Sequence, residues 1–518
     1  MKQDTIKITT APTSTVIAPE LHSQFIEHLG SCIYDGIWVG KDSDIPNIDG
    51  FRKDVVEPLA KLQPPVIRWP GGCFADMYHW KNGIGDSRPV TYNGNFGTYK
   101  TEDNSFGTDE FMAFCRLVGG KPWLNINMLS GDVREAVEWS EYCNRKESTA
   151  LSDLRAANGS KEPYNVQLWG IGNEVWAGGG NMTPEMYAQQ YRKFASAMPS
   201  FVEKTPDGIT ALPQIFILSG PDGNKPKERV KWTKDLFASL AQYRQPKLDA
   251  IDLHFYNWNV GKNADDADDF TEEGWYRVVK NCLEIRDVID EQYELVQEGI
   301  ASFPESEDTN FPSPVHKCDL YIGEWGNWHQ SAFFAKDALW QQCSMRDAVT
   351  SALTLDIFHH EAEKLKLACC AQTVNVLGSL FLTEGDKTIL TPNYYVYEMY
   401  MVHRGAQLLA DEVETAEAAE GLPAVMTLAS RKEDVISVNI VCTDYSAEHE
   451  VLLTFDENVF CNGGETLHAD KPTDCNTAQE PEKVKPAVNT TARLTDKGWV
   501  VRVPAASVNV FHFQIANH

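Results

Sequence analysis

Short apolar runs and longer stretches of helical period take turns along the first three-quarters of the chain. Runs of strand character occupy 23–29, 65–70, 122–128, 166–173, 214–220, 250–256, 320–325 and 367–374. Between most of them apolar residues recur every three or four positions, as in 109–117, 184–198, 275–293 and 334–362. Eight strands alternating with helices predict a parallel (β/α)8 TIM barrel; periodicity alone leaves an open doubly wound sheet as the alternative. No G-x-G-x-x-G or G-x-x-x-x-G-K-S/T opens any of these helices, which counts against nucleotide binding. After about residue 385 the texture changes to short alternating runs at 424–428, 435–441, 450–455, 500–503 and 508–515, with no long helix expected between them. That pattern predicts a jelly-roll-like, all-β sandwich. The run 5–9 has no place in the barrel order and is expected to pair with the sandwich. The predicted division is therefore 1–18 for this N-terminal strand, 19–385 for the barrel and 386–518 for the sandwich.

Composition adds exclusions. The 518 residues are 42% hydrophobic and 23% charged, an ordinary globular balance. Lys and Arg number 46 against 74 Asp and Glu, a formal charge of −28 that repels phosphate backbones and anionic lipid. Neither nucleic acid nor a membrane is expected as a partner. The N-terminus lacks an apolar h-region and no run approaches a membrane span of ~20 residues, so a cytoplasmic location is expected. The 12 Cys include no C-x-x-C pair and read as reduced structural thiols, with no metal site. Cys369 and Cys370 should face opposite sides of their strand. Fourteen Trp and 18 Tyr supply flat faces of the kind sugar rings use.

Polar residues interrupt the apolar runs at their C-terminal ends: Glu27 and His28, Arg68, Asn125 and Asn127, Asn173 and Glu174, His254 and Tyr256, Glu324, then Gln372 and Asn375. In a barrel, catalytic side chains converge from the C-terminal ends of different strands. Two carboxylates facing one pocket suit glycoside hydrolysis, where one serves as acid/base and the other as nucleophile. A structural ion pair is the plain alternative for either alone. Arg68 is expected to hold one carboxylate charged through a bidentate pair. Gly71 and Gly72 allow backbone to approach a ligand, and Trp80, Trp176, Trp258, Trp325 and Trp328 could wall the pocket. The acidic stretch 265–273 lacks calcium-loop spacing and reads as a solvated insertion. His359 and His360 fit no H-E-x-x-H motif and read as structural.

At these residues the sequence resembles the α-L-arabinofuranosidases of glycoside hydrolase family 51, in the clan of retaining barrel enzymes. The segments that carry the resemblance are IEHLGSCIYDGIW (26–38), VIRWPGGCFADMYHWKNGIGDSRP (66–89), WGIGNEVWAGGGNMTPEMYA (169–188), DLHFYNW (252–258), YIGEWGNWH (321–329) and 372–400. The resemblance implies that Glu174 is the general acid/base and Glu324 the nucleophile. It implies that Asn173 bonds the sugar 2-hydroxyl, that Glu27 and Gln372 grip furanose hydroxyls, and that Cys73 contacts the sugar. Arg68 would orient the nucleophile, Tyr256 would stand beside it, and His254 would lie behind or against the acid/base. It further implies no metal or organic cofactor, an arabinofuranosyl oligosaccharide as substrate, and a homo-oligomer, often a hexamer. Two segments, 175–180 and 262–273, depart from some members and should shape the aglycone side. The competing readings are a retaining β-xylosidase or endo-β-1,4-glucanase, or a sugar-binding barrel without turnover. Retention of both glutamates speaks against the last.

Overall fold

The computed structural model describes residues 4–94, 100–206, 208–304, 317–335 and 337–516. Residues 1–3, part of the terminus read above, and residue 336, inside the expected helical stretch 334–362, lie outside the described residues. Eight strands form a closed parallel barrel: β1 (Ser23–Phe25), β2 (Val66–Trp69), β3 (Lys121–Ile126), β4 (Leu168–Ile171), β5 (Ile215–Asp222), β6 (Ala250–Asn259), β7 (Asp319–His329) and β8 (Leu365–Ala371). The ring shuts where Cys369 of β8 pairs with Ser23 of β1. Every strand falls within or across an apolar run read from the sequence. Such strands are buried on both faces, so their residues are apolar wherever no function intervenes.

Helix boundaries follow local chemistry. The helix Pro184–Ala197 begins with Pro at its first turn and with the Thr183 hydroxyl accepting from the Met186 N–H. The helix Thr108–Val118 stops at Gly119, whose φ of 81° only glycine adopts freely. Two expected helices differ in extent. The stretch 275–293 is two helices, Glu272–Cys282 and Glu284–Ala301, because the Leu283 N–H bonds the carbonyl three residues back rather than four. The stretch 334–362 opens at the last residue of a 3₁₀ turn, Gln330–Phe334, and is helical only over Met345–His360. That helix is buried on nearly every side, so it shows no apolar stripe; its start is marked by the Ser344–Asp347 capping box.

Beyond the barrel two sheets face each other. One has six strands, Gln407–Leu408, Val425–Lys432, Val435–Cys442, Ser507–Ile515, Val459–Leu467 and Ala487–Asn489. The other has five and takes in the N-terminal strand Asp4–Thr9, which pairs antiparallel with Ala410–Glu414 and parallel with His449–Phe455. Ile6, Ile8, Val438, Ile440, Val451, Val501 and Phe511 fill the space between them. Among the described residues no α-helix falls between the strands of 424–515, as expected, but one element ahead of them was not read. Pro392–Tyr400 is helical, capped by Thr391, and its aromatic residues are buried all round, which hides the helical period.

A second buried polar cluster joins barrel and sandwich. His22, just ahead of β1, meets His359 of the helix Met345–His360 with their Nε2 atoms 2.9 Å apart. His403 contacts Ser430 Oγ and Asn439 Oδ1 of the sandwich, each at 2.7 Å. Asn439 Nδ2 donates to Asp356 Oδ1, whose other oxygen accepts from Tyr400. The reading of His359 as structural agrees with this placement.

Candidate active site

The C-terminal ends of the strands converge on two glutamates. Glu174 follows β4 after Gly172, and it sits in the left-handed region at φ 40°, a costly conformation that turns its side chain back over the barrel mouth. Glu324 lies within β7. There the register slips between Leu253 and His254 of β6, so Gly323 is an extra residue and Glu324 comes to lie beside His254. One oxygen of each glutamate and a ring nitrogen of His254 all lie within 4.8 Å of one another.

Glu324 is held from two sides. Arg68 Nη1 donates to Oε1 at 2.7 Å and the Tyr256 hydroxyl donates to Oε2 at 2.7 Å. The bidentate pair expected of Arg68 is not formed, because its other terminal nitrogen donates to Asn173 Oδ1 at 2.6 Å. The guanidinium thus spans β7 and the turn after β4, with Phe25 and Trp123 under its face. Across the pocket Gln372 Nε2 donates to Glu27 Oε1 at 2.6 Å. Gly72 is required here, since a Cβ at that position would lie 2.7 Å from Glu27 Oε2. Asn173 Nδ2 and Gln372 Oε1 are buried and bond no described residue. Cys73 is partly exposed, and its sulfur would lie 3.6 Å from a Cβ on Gly178, under the loop that follows Glu174.

The two glutamates sit in unequal fields. Burial raises the Glu174 carboxyl above the ordinary range, opposed by its bond from His254 and reinforced by the Glu324 charge. Glu27 is pushed up to about 8, first by burial and then by Glu324. For His254 burial works downward, yet the charges of Glu324 and Asp252 and bonds to Asp252 and Glu174 carry it up to about 10. The same competition leaves Arg68 more firmly charged than usual, with burial outweighed by Glu324 and Asp252. Burial also raises the thiol of Cys73 and the hydroxyl of Tyr256, so both stay neutral. The structure therefore gathers Glu27, Arg68, Cys73, Asn173, Glu174, His254, Tyr256, Glu324 and Gln372 at one mouth. Glu174, His254 and Glu324 come closest to a set a cation could use, and the bonds among them occupy the same lone pairs.

Other expectations divide. Trp258 and Trp328 stand at the rim, their rings 5.1 Å apart, and Trp328 also lies 5.1 Å from Tyr256. Trp80 and Trp325 do not wall the pocket. Trp80 is buried against Trp139, and Trp325 packs edge-on against Phe358 outside the barrel. The acidic stretch is only partly a solvated insertion, because Asp265 bonds Arg277, Arg346 and Asn259 and ties the loop down. Asp252 went unread. Its signal was the period of two in β6, which points Asp252, His254 and Tyr256 to one side. Asp76 was also missed: both its carboxyl oxygens are buried without a described partner, and burial and Glu174 raise its carboxyl well above the usual range.

Comparison with known proteins points the same way. Residues 58–273 match the family described as the α-L-arabinofuranosidase 1 domain, and residues 323–507 match the α-L-arabinofuranosidase C-terminal domain. An intracellular exo-α-L-arabinofuranosidase of Bacteroides ovatus is 35% identical over 99% of this chain and 96% of its own length. The crystal structure of the GH51 arabinofuranosidase from Xanthomonas axonopodis pv. citri is 31% identical, covers 99% of this chain and 100% of its own, and superposes with a TM-score of 0.88. The arabinose complex of the Thermotoga maritima α-L-arabinofuranosidase is 27% identical over 99% of this chain and 100% of its own, with a TM-score of 0.79.

Proposed function

This chain belongs to the α-L-arabinofuranosidases of glycoside hydrolase family 51, as an exo-acting member of a retaining family, and we propose that Glu174 and Glu324 carry its chemistry. Glu174 protonates the leaving glycosidic oxygen while a Glu324 oxygen bonds the anomeric carbon and the C–O bond breaks. Water then gives its proton to Glu174 and displaces Glu324, releasing arabinose with retained configuration. The observation that carries this reading is the pair itself: two carboxyls within 4.8 Å, the one bonded by Arg68 and the other raised by burial. Retaining enzymes space their carboxyls by ~5–5.5 Å and inverting ones by ~6.5–9.5 Å.

Glu27, Asn173, Gln372 and Cys73 take the sugar hydroxyls, with Asn173 Nδ2 and Gln372 Oε1 as a ready donor and acceptor. Glu27, Asn173, Tyr256, Glu324 and Gln372 are all buried, which fits a pocket for one terminal sugar rather than a groove for a polymer. Trp258 and Trp328 offer the next sugar an aromatic wall. We assign the enzyme to arabino-oligosaccharides and place it inside the cell, a location that the name of its intracellular Bacteroides ovatus relative supports. Activity in the medium without lysis would overturn that location. A homo-hexamer is the assembly the family suggests, and light scattering on the purified protein checks it.

The test is nitrophenol release from α-L-arabinofuranoside, β-D-xyloside and β-D-cellobioside, with Glu324→Ala as control. Turnover of the arabinofuranoside that vanishes in Glu324→Ala supports the assignment, and undiminished turnover in that variant overturns it. Glu174→Ala should lose roughly 10²–10⁴-fold on unactivated oligosaccharides. Its glycosylation step should change little with an activated aryl group, which needs no proton. Equal losses on both would remove Glu174 from the acid role.

A further inference from the structure

Asp252 in β6 is a buried carboxylate with three neighbours, all belonging to the catalytic machinery. Oδ1 accepts from the Gly323 N–H at 2.5 Å, the peptide directly ahead of Glu324. Oδ2 faces His254 Nε2 at 3.2 Å and lies 3.7 Å from Arg68 Nη2. The imidazole in turn presents Nδ1 to Glu174 Oε1 at 2.9 Å and to Glu324 Oε1 at 3.5 Å. A Cβ on residue 323 would lie 2.2 Å from Asp252 Oδ1, so the bulge that sets Glu324 admits only glycine.

We propose that Asp252 is a positioning residue for both catalytic carboxylates: it fixes the Gly323 bulge that places Glu324, and it holds His254 as a cation whose Nδ1–H occupies Glu174 Oε1. The inference rests on the assignment of Glu174 and Glu324 above. Its ground is donor arithmetic. A neutral imidazole has one N–H and one lone pair, whereas here both ring nitrogens face carboxyl oxygens. Only the doubly protonated ring donates to Asp252 and to Glu174 together. With Oε1 of Glu174 so occupied as an acceptor, the transferable proton rests on Oε2, which bonds no described residue and belongs to a side chain that is 20% exposed. The acid proton is thereby pointed at the cleft and kept off the histidine. Asp252 also explains why a cation persists in this place: the ring is faced by Glu174 and Glu324 on one edge and Asp252 on the other. Asp222 stands beyond on β5, Arg68 over Asp252, and Glu27, Tyr256 and Cys73 across the pocket.

The test uses Asp252→Asn. The amide oxygen still accepts from Gly323 while its NH₂ meets a His254 Nε2 lone pair, so the shape survives and the cation is lost. Glu174, which loses a neighbouring cation, then holds its proton more tightly. The alkaline limb of the pH profile of kcat/KM, where Glu174 gives up its acid proton, should move upward by ~1 unit. A merely structural role would lower kcat and leave the alkaline limb in place; that result, in a variant with an unchanged melting curve, overturns the proposal. In the native enzyme, ¹⁵N spectra should show both nitrogens of His254 protonated at neutral pH, and a neutral ring there overturns the proposal whether or not the variant folds. Full activity in Glu324→Ala would instead overturn the assignment beneath it.

Discussion

Two buried clusters in this chain draw on histidine, aspartate, arginine and asparagine, and their histidines are pushed in opposite directions. At the barrel mouth His254 is carried up to about 10, against its own burial, by Glu324 and Asp252. At the seam between barrel and sandwich His403 is pushed down to about 4 by burial, and His22 and His359 also lie well below the ordinary value. Asp356 in the seam is raised to about 8 by burial and holds its proton. The difference lies in which partners surround each ring. The mouth gives its histidine carboxylates, whereas the seam gives histidines to one another, to Ser430 and Asn439, and to the field of Arg404. Only the mouth sets a histidine among carboxylates and so keeps opposite charges in contact. Charge is what proton transfer and nucleophilic attack require; a joint between two domains requires only complementary bonds.

The contrast can be broken most severely at Arg68. Arg68→Leu leaves Glu324 and Asp252 buried without their cation and should cost about 3–5 kcal/mol of stability, with turnover of arabinofuranoside lost as well. Urea unfolding and the aryl assay check both; a stable, active variant would mean the mouth does not depend on paired charge.

Acid should act on the seam first. The folded-state values of His22 and His359 lie below their reference of 6.5, so their contribution to stability is present above it and is lost as pH falls through that range. His254 has the opposite sign: its contribution is full below 6.5 and is lost only as pH rises through about 10. Hydrogen exchange corrected for intrinsic rate should therefore show the helix Met345–His360 and the strand Val425–Lys432 loosening at pH 5 while β6 stays protected. Earlier opening of β6 would reverse the comparison.

The mildest change sharpens it. Asp356→Asn substitutes an amide for a carboxyl that stays neutral in the fold, and should alter stability at or below its ordinary value of 3.8 by no more than about 1 kcal/mol, with activity at neutral pH unchanged. The native aspartate contributes stability below the ordinary carboxyl range that is lost as pH rises through about 8, so the variant should be the more stable form at pH 9. Melting curves at the two pH values decide it.

Both clusters were unequally legible. The mouth was readable because a polar residue in a barrel strand violates the apolar pattern, and Arg68, Glu174, His254 and Glu324 each did so within a few positions of a strand end. Asp252 was hidden in plain view, since a single acid in DLHFY resembles a strand start until its spacing from His254 and Tyr256 is considered. The seam left almost no trace. His22 lies 337 positions from His359, and His403 and Asn439 follow on separate elements whose own patterns are unremarkable.

Sequence by itself determined the alternation of eight strands with helices, the β domain after it and the place of the two glutamates at strand ends, while closure of the ring is tertiary. Strand period, helix period and strand-end polarity are local properties that survive in one dimension. Tertiary structure alone decided which groups touch. It split Arg68 between Glu324 and Asn173 instead of pairing it twice with one carboxylate, turned Trp80 and Trp325 away from the pocket, and set Glu324 beside His254 through a bulge at Gly323. These outcomes depend on register, on side-chain direction and on the field of charges brought close from distant parts of the chain. Proton affinity follows from that field rather than from residue type, which is why His254 and His403 share a side chain while one is held as a cation and the other neutral.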